Sequence, residues 1–120
     1  LNKMKTQKFV FDLNCKFAIY VPTTVDVDRV DVEVAERVKR YVMERMATWF
    51  GGSTSTPAVG AWVSESGKTV YENVNIVYAY CTSAQAITEF ENVIALCEYV
   101  KKEMSQEAVT LEYNGQVKFI

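Results

Sequence analysis

Residues 59–81 read VGAWVSESGKTVYENVNIVYAYC, and the fold turns on this stretch. Val59 to Val63 and Thr69 to Cys81 are rich in β-branched and aromatic residues. Between them Glu65-Ser66-Gly67-Lys68 offers a turn with a glycine able to take positive φ, so the segment predicts a β-hairpin. In its second strand Val70, Glu72, Val74, Ile76, Tyr78 and Tyr80 alternate with Tyr71, Asn73, Asn75, Val77 and Ala79. The polar residues gather in the first half, so the second half is expected to be central and buried.

Upstream of the hairpin, Val34, Val38, Tyr41, Val42, Met46, Trp49 and Phe50 recur at steps of three and four, with Glu33, Arg37, Lys39, Arg40 and Glu44 mostly opposite. This predicts an amphipathic helix. Asp28 or Asp31 is its expected cap, and Glu33–Arg37 and Glu36–Arg40 stand in the acid-first spacing that supports a helix. Gly51-Gly52 is its expected stop, followed by a small-residue loop over 53–57. Earlier still, Phe9, Phe11, Leu13, Cys15, Phe17, Ile19 and Val21 alternate with more polar neighbours, a half-buried strand that ends at Pro22.

Downstream, Thr82 and Gln85 have the spacing of a capping box. Ile87, Phe90, Ile94, Cys97 and Met104 continue at helical period, giving a second helix to about Met104. After Ser105-Gln106, Val109, Leu111 and Tyr113 alternate, Asn114-Gly115 marks a two-residue hairpin turn, and Val117 and Phe119 alternate again.

The resulting order, β-α-β-β-α-β with an extra C-terminal hairpin strand, is an α+β ferredoxin-like pattern: an antiparallel sheet with two helices on one face, over one domain spanning 1–120. Within it residues 1–7 are expected to be disordered or not native, with Leu1-Asn2-Lys3 preceding a native start at Met4. Two helices cover one face, and the long strands place aromatic residues on the other. Assembly with further copies of the chain is therefore expected.

The 120 residues carry 13 basic and 15 acidic side chains, a net charge of -2, and no histidine. No basic excess exists to neutralise a nucleic-acid backbone or an anionic membrane, so neither is an expected partner. The missing imidazole removes the commonest general base and metal ligand, and neither a metal nor a cofactor is assigned. Cys15, Cys81 and Cys97 are odd in number, lack C-x-x-C spacing and lie in apolar runs. They read as reduced core residues, which suits a cytoplasmic location.

Phe50-Gly51-Gly52-Ser53-Thr54, Gly60-Ala61-Trp62, Glu72 in Val70-Tyr71-Glu72, the Tyr78-Ala79-Tyr80 strand and Gln106-Glu107-Ala108-Val109 together resemble a family of small uncharacterised bacterial and phage-encoded proteins. These carry an F-G-G-x-T loop and a Q-x-x-V segment before the last hairpin, and the resemblance spans about 17–120. It implies a phage or mobile-element setting; none of its motifs is a catalytic signature.

Three groups are candidate sites. The Gly51–Pro57 loop, with Thr54, offers N–H groups and hydroxyls, against a plain helix stop. It follows a helix and lacks the lysine of a phosphate loop. Glu72, Asn73 and Asn75 beside Trp62 and Tyr71 suit a planar polar ligand, against ordinary cross-strand pairing. Glu103, Gln106 and Glu107 end the second helix, either as hydrogen-bonding or acid–base groups or as a solvated helix end. Most aromatic residues belong to the core at these periodicities, while the hydroxyls of Tyr20, Tyr78 and Tyr80 are expected on the open sheet face. Thr54, Trp62, Glu72 and Gln106 are expected to converge on one concavity.

The leading function class is a non-catalytic binding protein, a phage or mobile-element accessory factor that captures a small ligand or a host protein as an oligomer. One alternative is a small histidine-free enzyme using Glu72, Glu103 or Glu107 as acid or base. The other is a structural assembly subunit.

Overall fold

The computed structural model of the chain describes residues 12–25 and 29–120. The elements run β1 (Cys15–Pro22), β2 (Thr24–Val25), β3 (Arg29–Val30), α1 (Val32–Phe50), β4 (Thr54–Val63), β5 (Thr69–Cys81), α2 (Ser83–Glu103), β6 (Thr110–Tyr113) and β7 (Gln116–Phe119). Five strands form one sheet in the order β4-β5-β1-β6-β7, and β2 pairs only with β3. Each neighbouring pair is antiparallel. With the first strand central and each helix crossing between strands, this is the ferredoxin-like α+β arrangement, extended by β7.

Strand parity decides which residues form the core. Phe17, Ile19 and Val21 of β1 and Val77, Ala79 and Cys81 of β5 are buried on one side of the sheet. Val38, Val42 and Met46 of α1 and Val93, Cys97 and Val100 of α2 join them in one cluster. Burying a large aliphatic or aromatic side chain contributes about 1.5–3 kcal/mol, so this layer supplies most of the driving force. The even-numbered partners lie on the opposite face, where Lys16 meets Tyr80, Ala18 meets Tyr78 and Tyr20 meets Ile76.

Local signals explain the helix ends. Asp31 caps α1 by accepting from the Val34 N–H, while Asp28 lies outside the described residues. Thr82 and Gln85 form the reciprocal capping box of α2. Helix α1 ends where Gly51 takes φ 91° and donates its N–H to the Ala47 carbonyl at 2.8 Å.

Three sequence expectations are corrected. Of the strand expected over Phe9–Val21, Leu13 lies outside β1, which begins at Cys15 among the described residues, opposite Cys81 at the end of β5. The part of the expected strand at Phe9 and Phe11, and residues 1–7, fall outside the described residues. Thr54 to Pro57 is strand rather than loop: β4 is the edge of the sheet, and an edge strand tolerates proline because its missing N–H faces away from the ladder. The expected i,i+4 pairs on α1 give way to others. Arg37 bridges to Glu103 of α2 at 3.0 Å, and Glu36 takes Lys39 at 2.9 Å.

Gly51→Val should lower stability by more than about 1 kcal/mol, since a β-branched residue is strained in the left-handed region. Gly52→Val should be close to neutral, because that glycine has open space around it and no positive φ. Thermal melts of the two variants check the contrast.

Candidate functional site

The site arises where β5 outlasts β1. Strand β5 pairs with β4 from Thr69 onward, but with β1 only from Val74 to Cys81. Beyond Val74 the β1 side of β5 is a free edge among the described residues. Pro22 closes the pairing opposite Val74, and Thr23 Oγ1 then donates to the Asn73 carbonyl at 2.8 Å, turning the chain away from the edge. Residues 59–73 are left as a two-stranded arm that extends past the rest of the sheet. Val59, Trp62, Val63 and Tyr71 on it are exposed.

Across from the free edge, the turn after α2 supplies the second wall. Ser105 takes φ 50°, and the Gln106 N–H donates to the Lys101 carbonyl at 2.9 Å. The Gln106 side-chain amide donates to the Thr24 carbonyl at 3.2 Å and to the Met104 carbonyl at 2.9 Å. Gln106 therefore ties the turn to the β2–β3 segment. Between these walls opens a cleft of about 620 Å³, lined on one side by Trp62, Tyr71 and Glu72 and on the other by Gln106, Glu107 and Ala108. Thr23, Thr24 and Val30 close one end.

Register explains the placement of the functional side chains. Gly60 faces Glu72 and Trp62 faces Val70, so Trp62 and Glu72 share one face of the arm as diagonal neighbours, about 7–8 Å apart. A Cβ on Gly60 would sit 3.7 Å from Glu72 Cγ, so glycine leaves the carboxylate side open. Tyr71, of opposite parity, reaches the cleft from the other face. Glu72 and Glu107 are the carboxylates of the lining, and neither lysine nor arginine is among the described residues there. The cleft is thus acidic, with two aromatic side chains at its border. Among the described residues no cluster of acidic, cysteine or histidine side chains is arranged to hold a metal ion.

Three of the four residues expected to converge do so: Trp62, Glu72 and Gln106. Thr54 does not. It begins β4 opposite Tyr78, whereas Trp62 is near the strand's other end, a separation of about 26 Å along an extended chain. A second cavity of about 600 Å³ forms there, lined by Phe50, Gly51, Thr54, Tyr78, Tyr80 and Gln85 among others. Tyr78 and Tyr80 meet edge to face at 5.9 Å, and Lys16 Nζ lies over both rings at 4.9 and 5.7 Å. Tyr20 is on the open face with its hydroxyl 3.4 Å from Glu112 Oε1, not in the cleft. Glu103 is held by Arg37 and Tyr99 stands at the same guanidinium, so Glu103 belongs to the helix–helix contact. Thr23, Thr24 and Val30 were not legible as lining residues, because their position depends on the two-residue strands β2 and β3, too short to leave a periodic signal.

No protein-family model matches the chain, and no curated protein does. Solved structures do. The chain is similar to a phage SAM lyase in complex with S-methyl-5′-thioadenosine, at 20% identity and a TM-score of 0.64 over 94% of this chain and 95% of that one. The apo state of phage SAM lyase gives the same identity and TM-score over 95% and 94%. The periplasmic divalent cation tolerance protein CutA from Archaeoglobus fulgidus is similar at 15% identity, with a TM-score of 0.48 over 82% of this chain and 79% of that one. At these identities the likeness is one of fold. No helix among the described residues is long and apolar enough to cross a membrane.

Because Gln106 holds two backbone carbonyls, Gln106→Ala should destabilise the protein by about 1–2 kcal/mol, the cost of leaving part-buried acceptors unpaired. Trp62 is 52% exposed, so Trp62→Ala should leave the melting temperature within a few degrees. Differential scanning calorimetry of both variants separates the clamp from the surface aromatic.

Proposed function

We propose that this chain binds S-adenosylmethionine in the cleft between the free edge of β5 and the Ser105–Ala108 turn, and cleaves it to release S-methyl-5′-thioadenosine. The observation that carries this reading is the charge of the cleft. Glu72 and Glu107, with no basic side chain among the described residues of the lining, attract a cation and repel phosphorylated nucleotides. A sulfonium nucleoside joins a positive sulfur to a planar base. Carboxylates and the faces of Trp62 and Tyr71 suit the first, and the same aromatic faces suit stacking of the second. Similarity of fold over 94% of the chain to a phage SAM lyase holding S-methyl-5′-thioadenosine supports the same ligand class.

The chemistry is compatible with a chain that lacks histidine. When the substrate's own carboxylate attacks the carbon next to the sulfonium, a C–O bond forms as the C–S bond breaks, the four-carbon side chain closes to a lactone, and the electron pair of the broken bond passes to sulfur so that the nucleoside leaves as a neutral thioether. Such a leaving group needs no general acid. What the protein supplies is position: the negative field draws in and orients the sulfonium, and Glu72 is the carboxylate placed beside the aromatic wall. A histidine-free enzyme is therefore better supported than the non-catalytic binder or the purely structural subunit, with Glu72 acting through its charge rather than as the acid or base first expected. The phage or mobile-element setting agrees with the F-G-G-x-T resemblance and with the phage origin of the similar structure. Three unpaired cysteines suit a cytoplasmic location. The protein works as a homo-oligomer, since Trp62, Tyr80, Val117 and Phe119 are exposed along the face that the helices leave bare.

Incubation with S-adenosylmethionine, followed by chromatography, should show S-methyl-5′-thioadenosine accumulating with time. Glu72→Gln should lower kcat/KM by roughly 100-fold, and Trp62→Ala should act mainly on KM. Calorimetric binding of S-adenosylmethionine without product would restore the non-catalytic reading, and neither binding nor product would overturn the ligand assignment. In light scattering at micromolar concentration the mass should be at least twice the 13.6 kDa of one chain.

A further inference from the structure

At the end of β5 farthest from the cleft, two cysteines face each other. Cys15 opens β1, Cys81 closes β5, and the two are register partners whose side chains both point to the helix side of the sheet. The backbone fixes the kind of pair. Lys16 gives its N–H to Asn114 Oδ1 at 2.8 Å and takes the Asn114 N–H on its carbonyl at 3.0 Å, so the Lys16 peptide groups are directed toward β6. Those of Cys15, one residue earlier, are therefore directed toward β5. Cys15 and Cys81 thus form a hydrogen-bonded antiparallel pair, whose Cα atoms lie about 5.5 Å apart, inside the span of a disulfide. Their place at the last rung of the ladder lets the strand ends close the remaining gap between the Cβ atoms.

The surroundings of the two sulfurs differ. Asn114 Nδ2 donates to Cys15 Sγ at 3.6 Å, the Tyr113 hydroxyl donates to it at 3.8 Å, and the Ser83 hydroxyl lies at 3.7 Å. These contacts, Asn114 foremost, hold the Cys15 thiol below its ordinary value. Burial pushes Cys81 up to about 11 and Cys97 up to about 12. Tyr80 and Thr82, the neighbours of Cys81 in the chain, line the second cavity, so that cavity opens at this end of the sheet.

We propose that Cys15 and Cys81 are a peroxide-oxidised thiol pair that closes a disulfide across β1 and β5. The Cys15 thiolate attacks one oxygen of the peroxide, forming an S–O bond while the O–O bond breaks and hydroxide leaves. The Cys81 thiol then attacks the sulfur of the resulting sulfenic acid; an S–S bond forms and water departs. Two thiols and one peroxide thereby give one disulfide and two waters, with the sulfurs oxidised and the peroxide reduced. This modification is independent of the lyase reading, because it uses no group of the cleft.

The test is oxidation of the full folded chain with hydrogen peroxide, followed by intact mass and peptide mapping without reductant. The expected result is a loss of about 2 Da, a Cys15–Cys81 linked peptide and an unmodified Cys97. Cys81→Ala should leave a sulfenic acid on Cys15 that dimedone traps. Asn114→Asp keeps the acceptor for Lys16 and removes the donor to sulfur, and should slow oxidation at least fivefold at neutral pH. Persistence of all three free thiols in the wild-type chain overturns the proposal, as does a rate unchanged by Asn114→Asp or a linkage through Cys97.

Discussion

Phe17 is the side chain on which the two layers depend. It is fully buried in the central strand, and its ring lies 4.6 Å from Tyr113 of β6, 5.4 Å from Phe50 at the end of α1 and 6.0 Å from Phe90 of α2. One ring thus joins the last residue of the first helix, the second helix and the returning strand to β1. Close packing leaves little latitude in such a cluster, because each ring occupies a volume its neighbours are shaped around. With Phe50 held there, the chain must reverse at once to reach the sheet edge, and Gly51 in the left-handed conformation provides that reversal.

The cleft follows from a mismatch of strand lengths. Strand β5 has 13 residues and β1 has 8, so part of one edge of β5 cannot be covered by its neighbour. A free edge exposes peptide groups, and the protein uses Thr23 and the Gln106-held turn to enclose that edge without pairing it. The same overhang gives the arm its exposed aromatic residues. Cleft and exposed aromatic surface are therefore two consequences of one geometric fact. Their nearness makes an arrangement in which neighbouring copies cover the arm compatible with binding at its base.

Much of the fold was legible because its signals are local. The parity of Phe17, Ile19 and Val21, the helical spacing of Val38, Val42 and Met46, the Thr82–Gln85 box and Asn114-Gly115 each depend on residues a few positions apart. Where the reading slipped, the deciding neighbour was remote. Thr54 to Pro57 looked like a loop because small hydroxyl residues and proline are common in loops. It is a strand because Tyr78 to Asn75 of β5 lie alongside to pair with it. The Glu36–Arg40 spacing is favourable in an isolated helix, but in the folded chain Lys39 is the cation at Glu36 and Arg37 turns to Glu103 on the other helix.

The candidate site shows the same division. Sequence alone determined the α+β order, the helix-facing parity of the central strands, the capping residues and the absence of imidazole chemistry, because composition, periodicity and cap spacing act over a few residues. It also singled out Trp62, Glu72 and Gln106 by residue type. Tertiary structure decided that these three share a cleft while Thr54 joins Tyr78 and Tyr80 at another. It turned Gln106 from a ligand donor into a clamp on the Thr24 and Met104 carbonyls, and set Cys15 opposite Cys81. The physical reason is register: which residues meet across a sheet depends on where strands start, stop and overhang, and those limits are set by packing partners far away in the chain.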